Sequence, residues 1–242
     1  KDFDWNISLN LAHNENEVTR LSNDVFTMDK ILLGDVFIRG GSSSGTHVLE
    51  EGRPIGQFYG LVCNGIDENG RYIMVDKDGD GEISDPADYD YIGSAQPKLT
   101  YGITNTFRYK NFDLSFFLRG TIGNDILNAT RMAYAQSGFL PGTNALDDPL
   151  TYTLSETPRF SNYYLEKGSF MRLDNLTLGY KIKALNGIRV YFTAQNLFVI
   201  TKYKGLDPEV PMDSGDGLTP GVEPREFYPK ARTFSVGLNL NF

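Results

Sequence analysis

The sequence predicts an all-β protein of about eight antiparallel strands, of the kind that form a transmembrane β-barrel with long loops at one end. Three observations favour this fold class. Apolar and polar residues alternate in several segments, each about 9–11 residues long, which is the length that a tilted strand needs to cross a bilayer. The connections alternate between short and long. The sequence also lacks a run of ~18 apolar residues that could span a membrane as a helix.

The alternation is clear in six segments and weaker in two. In the last segment, Phe234, Val236 and Leu238 alternate with Ser235 and Gly237. Such a period of two gives a strand one apolar face and one polar face. The six clear segments are residues 3–11, 99–109, 112–119, 175–182, 188–195 and 233–242, and the two weaker ones are 46–50 and 55–62.

The connections predict where the two ends of the sheet lie. Lys110–Asn111 and Leu185–Gly187 are predicted hairpin turns, in which Asn and Gly supply the positive φ. Long loops are predicted at about 13–45, 63–97, 121–168 and 199–230. Short turns at one end and long loops at the other are typical of outer-membrane barrels.

The composition excludes several classes of protein. A net charge of −8 argues against a nucleic-acid partner, because phosphate binding requires an excess of Lys and Arg. Cys63 is the single cysteine, so an internal disulfide is excluded and a cysteine metal site is not expected. Lys1 begins inside an alternating pattern without a signal peptide. We therefore expect the chain to be a piece of a longer protein.

The segment VDKDGDGEIS is the one stretch that resembles a metal site. Asp76, Asp78 and Asp80 occupy positions 1, 3 and 5 of an EF-hand-like loop, and the backbone carbonyl of Glu82 would be the ligand at position 7. Position 12, which is normally a bidentate Glu, is Ala87; the nearby Asp85 and Asp88 lie at other offsets. Two interpretations stay open, a Ca²⁺ loop and a turn that is merely rich in Asp and Gly.

Other candidate residues indicate no chemistry of their own. His13 and His47 lack a second ligand at metal spacing and are expected to lie at the surface, and Ser42–Ser44 lie outside any GxSxG motif. We find no paired catalytic carboxylates, triad or nucleotide motif, so an enzyme is not expected. Loop aromatic residues could stack on sugars or pack a small loop core: Tyr134, Phe139, Tyr152, Phe160, Tyr163 and Tyr164.

Several longer stretches together resemble one known family. These stretches are EGRPIGQFYGLVCNGI (51–66), VDKDGDGEIS (75–84), YIGSAQPKLTYGITNTFRYKNFDLSFFLRGTIG (91–123), FMRLDNLTLGY (170–180), VYFTAQNLFVITKYKGLDPE (190–209) and YPKARTFSVGLNLNF (228–242). In this order they resemble the C-terminal portion of the SusC/RagA family of TonB-linked outer-membrane transporters of the Bacteroidetes type. The resemblance covers residues 1–242 nearly completely.

The resemblance implies an architecture and partners. It implies a barrel of about 22 strands, of which this chain supplies roughly the last third, while the plug, the TonB box and the N-terminal domain lie outside it. Arg108, Arg119, Arg189 and Gln195 then face the lumen. The implied partners are a SusD-like surface lipoprotein, TonB through the missing N-terminal part, outer-membrane lipid, and a glycan or peptide substrate. Phe242 resembles the terminal aromatic residue that outer-membrane assembly recognises.

Two alternatives to the transporter stay open. One is a self-contained eight-strand outer-membrane barrel that acts as an adhesin or a structural protein. The other is a soluble all-β module that binds sugars. Solubility without detergent separates the membrane interpretations from the soluble one.

Overall fold

The computed structural model describes residues 2–39, 41–138, 140–185, 188–210, 217–224 and 228–240, and it is an all-β fold with short helices. In this part of the chain the strands are β1 (Phe3–Ala12), β2 (Lys30–Ile38), β3 (Gly41–Glu50), β4 (Gln57–Leu61), β5 (Cys63–Ile66), β6 (Tyr72–Met74), β7 (Tyr89–Ser94), β8 (Leu99–Tyr109), β9 (Phe112–Ile122), β10 (Asp125–Leu127), β11 (Leu165–Lys167), β12 (Phe170–Ile182), β13 (Ile188–Thr201) and β14 (Thr233–Asn239). The α-helices are α1 (Ala129–Tyr134) and α2 (Pro149–Thr153), and 3₁₀ turns cover Asn162–Tyr164 and Lys183–Leu185. No helix in these ranges is both long and apolar enough to cross a membrane.

Six long strands form one antiparallel sheet, which we call the wall sheet. Its strand order is β1-β8-β9-β12-β13-β14, so each strand pairs with the next one of the set along the chain. All six clear segments of the alternation fall in this sheet, which confirms that part of the prediction. Residues Asn241 and Phe242, at the end of the last segment, lie outside the described residues.

The wall sheet has one continuous apolar face. Register places the odd-numbered residues of β1 opposite Tyr109, Phe107, Ile103 and Tyr101 of β8, and these in turn lie beside the apolar residues of β9. Apolar residues are also register partners across β12 and β13, and the rows end at Phe234, Val236 and Leu238 of β14. Many of these side chains are exposed; Ile7 is 62% and Val236 is 75% accessible. The alternation in the sequence therefore corresponds to the apolar and polar faces of this sheet.

Asn105 is the polar exception on the apolar face. It is buried, and its Oδ1 accepts a hydrogen bond of 3.1 Å from Nε1 of Trp5 on the neighbouring strand. The Trp5 ring also stacks on Phe107, with 5.6 Å between the ring centroids. The indole therefore satisfies the amide oxygen while it keeps its apolar ring on the face.

The connections between wall strands alternate in length, as predicted. Lys110–Asn111 joins β8 to β9 at one end, which we call the short-turn end, and residues 183–187 join β12 to β13 there. In the first turn Lys110, and not Asn111, has the positive φ, of 54°. Asn186 and Gly187 of the second turn lie outside the described residues. The connections at the other end of the sheet are 13–98, 123–169 and 202–232.

These three long connections fold into a second body, which we call the connecting region. In it, β2, β3, β4 and β7 form a four-stranded sheet, β5 pairs with β6, and β10 pairs with β11. A shared core includes Val36, Phe58, Leu127, Met132 and Phe160. The segment 217–224 crosses this body and bonds to β10: Leu127 N–H donates to the Gly221 carbonyl, and Glu223 N–H to the Leu127 carbonyl. The loops therefore have a core of their own.

The prediction of eight wall strands is wrong in the described part of the chain. The two weaker segments, 46–50 and 55–62, belong to β3 and β4 of the connecting region and do not extend the wall sheet. Residues 46–49 are all buried, and Phe58 and Leu61 of β4 are fully buried, so a strict alternation of apolar and polar residues is not required there. The wall sheet has six strands here, and its two edge strands, β1 and β14, do not pair with each other. The sheet does not close into a barrel by itself.

Candidate functional site

The polar face of the wall sheet carries a charged cluster near its long-connection end, which we call the ionic hub. Its members are Arg119 of β9, Arg172 and Asp174 of β12, and Asp207, Glu209 and Lys230 of the connection that follows β13. Three cations thus meet three carboxylates. Arg119 and Arg172 are register neighbours on β9 and β12, so two like charges lie side by side and require carboxylates between them.

Glu209 is the centre of the hub. It forms a salt bridge with Arg119, its Oε2 lies 2.9 Å from Nε of Arg172, and it accepts a hydrogen bond of 2.8 Å from Nζ of Lys230. Burial alone would raise the pKa of Glu209, but the hydrogen bonds from Arg119 and Lys230 outweigh burial and lower it. The carboxylate is therefore held ionised.

Arg172 is the most deeply buried charge of the hub. Its side chain is 1% exposed, and Nη2 donates to Oδ1 of Asp207 at 2.5 Å. Nη1 of Arg172 also donates a hydrogen bond to Oδ1 of Asn196. Asn196 lies in β13 and has a positive φ, of 51°. Asn196 Nδ2 in turn donates to the Lys230 carbonyl at 2.7 Å. The hub thus ties the third long connection to three strands of the wall sheet.

A cavity of about 560 Å³ lies beside the hub. Arg119, Glu209 and Lys230 contribute charge to its lining, and Phe117 and Phe170 contribute aromatic surface. Further lining comes from β1 and β8, including Asn10 and Thr100. A concave site with aromatic walls and a few placed charges is suited to hold an organic ligand.

The structure places the predicted lumen-facing residues on this same polar face. Arg108 lies opposite Asp4 and Asp113, and Gln195 lies opposite Asn175 and Thr233. Arg189 reaches Asp113 of β9 across β12, with Nε donating to Oδ1 at 2.9 Å. The intervening residue is Gly179, and a Cβ there would lie only 2.4 Å from Nη2 of Arg189. This glycine is what lets the two charges meet across a strand.

The acidic loop brings three of its predicted ligands together. Carboxylate oxygens of Asp76, Asp78 and Asp80 lie within 4.8 Å of one another. The loop closes on its own backbone: Oδ1 of Asp76 accepts from Gly79 N–H at 2.6 Å, and Oδ1 of Asp80 accepts from Glu82 N–H at 2.7 Å. Metal binding by Asp76, Asp78, Asp80 and the Glu82 carbonyl stays a prediction.

Asp85 and Asp88, which stand near position 12 of the motif, have other partners. Oδ1 of Asp85 accepts a hydrogen bond of 2.8 Å from Nη2 of Arg159. Asp88 is buried and accepts from the backbone N–H groups of Ser84 at 2.8 Å and Lys77 at 2.6 Å, and these hydrogen bonds lower its pKa. Asp88 therefore fixes the two ends of the acidic loop.

The expected surface position of the histidines holds for His13 and is wrong for His47. His13 is exposed; its hydrogen bond to the Lys98 carbonyl and then its contact with Glu15 raise its pKa. His47 is fully buried on β3, because segment 217–224 covers it and its Nε2 lies 2.9 Å from the Pro220 carbonyl. The side chains of Ser42–Ser44 lie outside the description.

Some of the loop aromatic residues pack in the core of the connecting region, and others are exposed. Phe160 and Tyr164 are buried in the core of the connecting region, and Tyr163 packs against Tyr164 at its edge. Tyr134 lies under the guanidinium of Arg39, and Tyr152 is 74% exposed. Phe139 lies outside the described residues.

Sequence reasoning missed most of the ionic hub. It placed Arg119 on the polar face, but it did not single out Arg172, Asp174, Asp207, Glu209 or Lys230. A usable signal was present: Arg172 interrupts the apolar start of β12, and an arginine that folds into a sheet requires a carboxylate partner.

The whole chain is similar to curated receptors. It is 32% identical over 288 residues to TonB-dependent receptor P3 of Formosa agariphila, and 36% identical over 261 residues to TonB-dependent receptor SusC of Bacteroides thetaiotaomicron. Both matches use 100% of this chain and cover 27% and 25% of those proteins. The chain therefore spans about a quarter of the length of the curated relatives it matches. No family model matches the chain.

Solved structures share the fold as well. The RagAB peptide transporter superposes with a TM-score of 0.74 at 25% identity, over 98% of this chain and 27% of that chain. The RagAB peptide importer in its closed-closed state gives a TM-score of 0.73 at 25% identity, with the same coverage. These relatives bear the names of receptors and transporters, not of enzymes.

Proposed function

We propose, since this chain is a segment of a SusC/RagA-type TonB-dependent receptor, that it forms part of the wall and the outer loops of an outer-membrane nutrient importer. The observation that carries this proposal is the wall sheet itself. Its six meandering strands expose an apolar face on which Asn105 is the polar exception, and the three long connections leave from one end. We assign no catalytic step to the chain.

The apolar face supports a position in lipid. Trp5, Leu9 and Val236 are more than half exposed, and their register partners Phe107, Ile103 and Phe192 are apolar too. A soluble protein rarely exposes so large a contiguous apolar patch. In a bilayer, contact between this face and the lipid tails is favourable, and the backbone groups keep their hydrogen bonds within the sheet.

The free edges support a larger barrel. β1 and β14 each present an edge that has no partner strand in the described residues. Unpaired backbone groups are costly in lipid, so further strands of the longer protein must pair with them. We propose a barrel of about 22 strands, which encloses a lumen that a plug can fill. The polar face with the ionic hub then faces that lumen and plug.

The connecting region supports an outward-facing receptor surface. Long loops of such barrels are extracellular and short turns are periplasmic. We propose that the connecting region, with its own core, is the surface that a SusD-like lipoprotein covers. TonB acts on the longer protein through a part outside this chain.

The substrate class is a glycan or a peptide, and the site supports both. The cavity beside the hub offers aromatic rings for sugar stacking and charges for peptide groups. The RagAB structure with which this chain superposes is named as a peptide transporter. Glycan import is our first proposal and peptide import the second.

An uptake experiment tests the proposal. Cells that carry the full-length receptor and its lid protein are fed labelled oligosaccharide and labelled peptide pools, and the same cells without TonB serve as the control. We expect TonB-dependent uptake of one class, and outer-membrane fractionation of the receptor. Uptake that persists without TonB, or a receptor found in the soluble fraction, would contradict the proposal.

A further inference from the structure

The cavity beside the ionic hub has an aromatic wall that depends on a glycine. Phe117 of β9 lines the cavity and is half-buried. Its ring lies over Gly102 of β8, where a Cβ would be 3.1 Å from Cε2 and 3.2 Å from Cζ of the ring. Register places Gly102 between Asn10 and Arg119 on the polar face. The glycine therefore leaves a recess in the sheet, and the Phe117 ring forms one wall of it.

Uncharged polar groups border the same recess. Asn10 of β1 and Thr100 of β8 line the cavity, and both are exposed. Among the residues that the structure describes, neither of these two side chains forms a hydrogen bond with the protein. An amide and a hydroxyl can each donate and accept, so both are suited to bind the hydroxyl groups of a ligand.

The charges that line the cavity are already matched within the chain. Nη2 of Arg119 donates to Oε2 of Glu209 at 3.0 Å and to Oδ1 of Asp174 at 3.1 Å. Lys230 donates to the same Glu209 at 2.8 Å. The three cations and three carboxylates of the hub leave no net charge. A charged ligand would have to enter without a counter-charge or break one of these pairs, and both are costly.

The third long connection covers part of the recess. Pro208 and Val210, on either side of Glu209, lie in the lining, and Val210 is buried. The resulting cavity of about 560 Å³ is within the range of ~300–1,000 Å³ that is typical of small-molecule sites.

We propose that this cavity binds an uncharged sugar unit of an oligosaccharide, with Phe117 as the stacking ring and Asn10 and Thr100 as hydrogen-bonding partners. The inference rests on the proposed function and chooses between its two substrate classes. A sugar ring has C–H groups on its faces and hydroxyl groups at its edge, so it requires an aromatic wall and uncharged polar groups together. A peptide has charged termini as well, and the matched charges of the hub offer them no counter-charge.

Binding measurements on the detergent-purified full-length receptor test this inference. The uncharged probes are oligosaccharides of glucose, mannose, xylose and N-acetylglucosamine; the others are oligogalacturonate, sulfated oligosaccharides and a pool of octapeptides. The variants are F117A and N10A, and F117Y keeps the aromatic wall. F112A is the matched control, because Phe112 lies on the apolar face of the same strand. Loss of one stacking or hydrogen-bonding contact weakens binding roughly five-fold.

We expect the wild-type receptor to bind at least one uncharged oligosaccharide, F117A and N10A to bind it about five-fold more weakly, and F117Y and F112A to bind it as the wild type does. A preference for the acidic oligosaccharides or the peptides would overturn the inference, as would the absence of binding to every uncharged probe. Equal affinities of the wild type, F117A and N10A would contradict it too. Asn10 is exposed on an edge strand, so N10A still gives the answer if F117A does not fold.

Uptake by cells that carry the same receptor reports separately on the proposed function. A receptor that imports peptides with TonB and binds no uncharged oligosaccharide would refute this inference and leave the import function standing. Uptake that is independent of TonB would refute the import function itself, so the two failures are distinguishable.

Discussion

Arg172 shows how one residue can stabilise the join between the wall and its loops. It is a buried charge whose partners, Asp207 and Glu209, both belong to the connection after β13. Removing one partner of a buried ion pair leaves the others uncompensated, which is more costly than the loss of an exposed pair.

We predict that R172Q destabilises the full-length receptor by about 3–5 kcal/mol. The matched control is R189Q, which removes an arginine of the same sheet whose partner Asp113 is more accessible; its expected cost is about 1 kcal/mol or less. The measurement is the free energy of unfolding in detergent by denaturant titration. Equal costs for the two variants would argue against a buried hub.

Glu209 makes the hub dependent on pH. Its pKa is lowered in the folded protein, so its contribution to stability is present above the unfolded pKa of about 4.3 and is lost as the pH falls through the folded value. We predict that the connection after β13 becomes sensitive to protease in that acidic window. E209Q should be sensitive already at neutral pH and should show a flatter pH profile. A wild-type digest that does not change with acidity would contradict this prediction.

At the scale of elements, the acidic loop is a turn whose shape is held by hydrogen bonds between its own carboxylates and backbone. Gly79 and Gly81 have φ values of 79° and 91°, which let the backbone fold around the carboxylate of Asp76. The loop can therefore hold its shape in part without an ion.

We predict that Ca²⁺ protects residues 74–90 from proteolysis and that a chelator removes the protection. D78N/D80N should lose the difference between the two conditions. E82Q is the matched control and should keep it, because the proposed ligand there is a backbone carbonyl. Digests that are identical with Ca²⁺ and with chelator would leave the Asp/Gly-rich turn as the better interpretation.

The wall strands could be predicted from the sequence, whereas β2 could not. Each wall strand faces apolar surroundings on one side only, so its pattern has a period of two. β2 lies inside the loop predicted at about 13–45, and the structure shows that its pairing with β3 shifts register between Leu33 and Asp35, at Gly34 with a φ of 77°. This irregularity reverses the phase of the alternation within the strand. A period-two pattern does not extend through such a bulge.

At the scale of the whole molecule, the exposed apolar face determines how the segment behaves alone. We predict that the 242-residue chain, expressed by itself, aggregates in water and stays monomeric only in detergent or lipid. Size-exclusion chromatography with light scattering, with and without detergent, measures this. A stable monomer in buffer would favour the soluble sugar-binding alternative.

The carboxylate partners of the ionic hub could not be predicted from the sequence, because they lie far along the chain from the arginines that they contact. Arg119 and Glu209 are 90 positions apart, and Arg172 and Asp207 are 35 apart. Nothing local distinguishes these carboxylates from the other acidic residues of a chain that carries 31 of them. Only the packing of the third long connection against the wall sheet brings them together.

The order of the strands also constrains the order of folding. The hairpin of β8 and β9 closes through two residues, so its ends meet at little entropic cost and it can form early. β1 pairs with β8 across the whole connection 13–98, and this distant pairing is slow. We therefore expect the hairpins to appear first and β1 to join last, after the core around Phe58 and Leu127 has shortened the path between them.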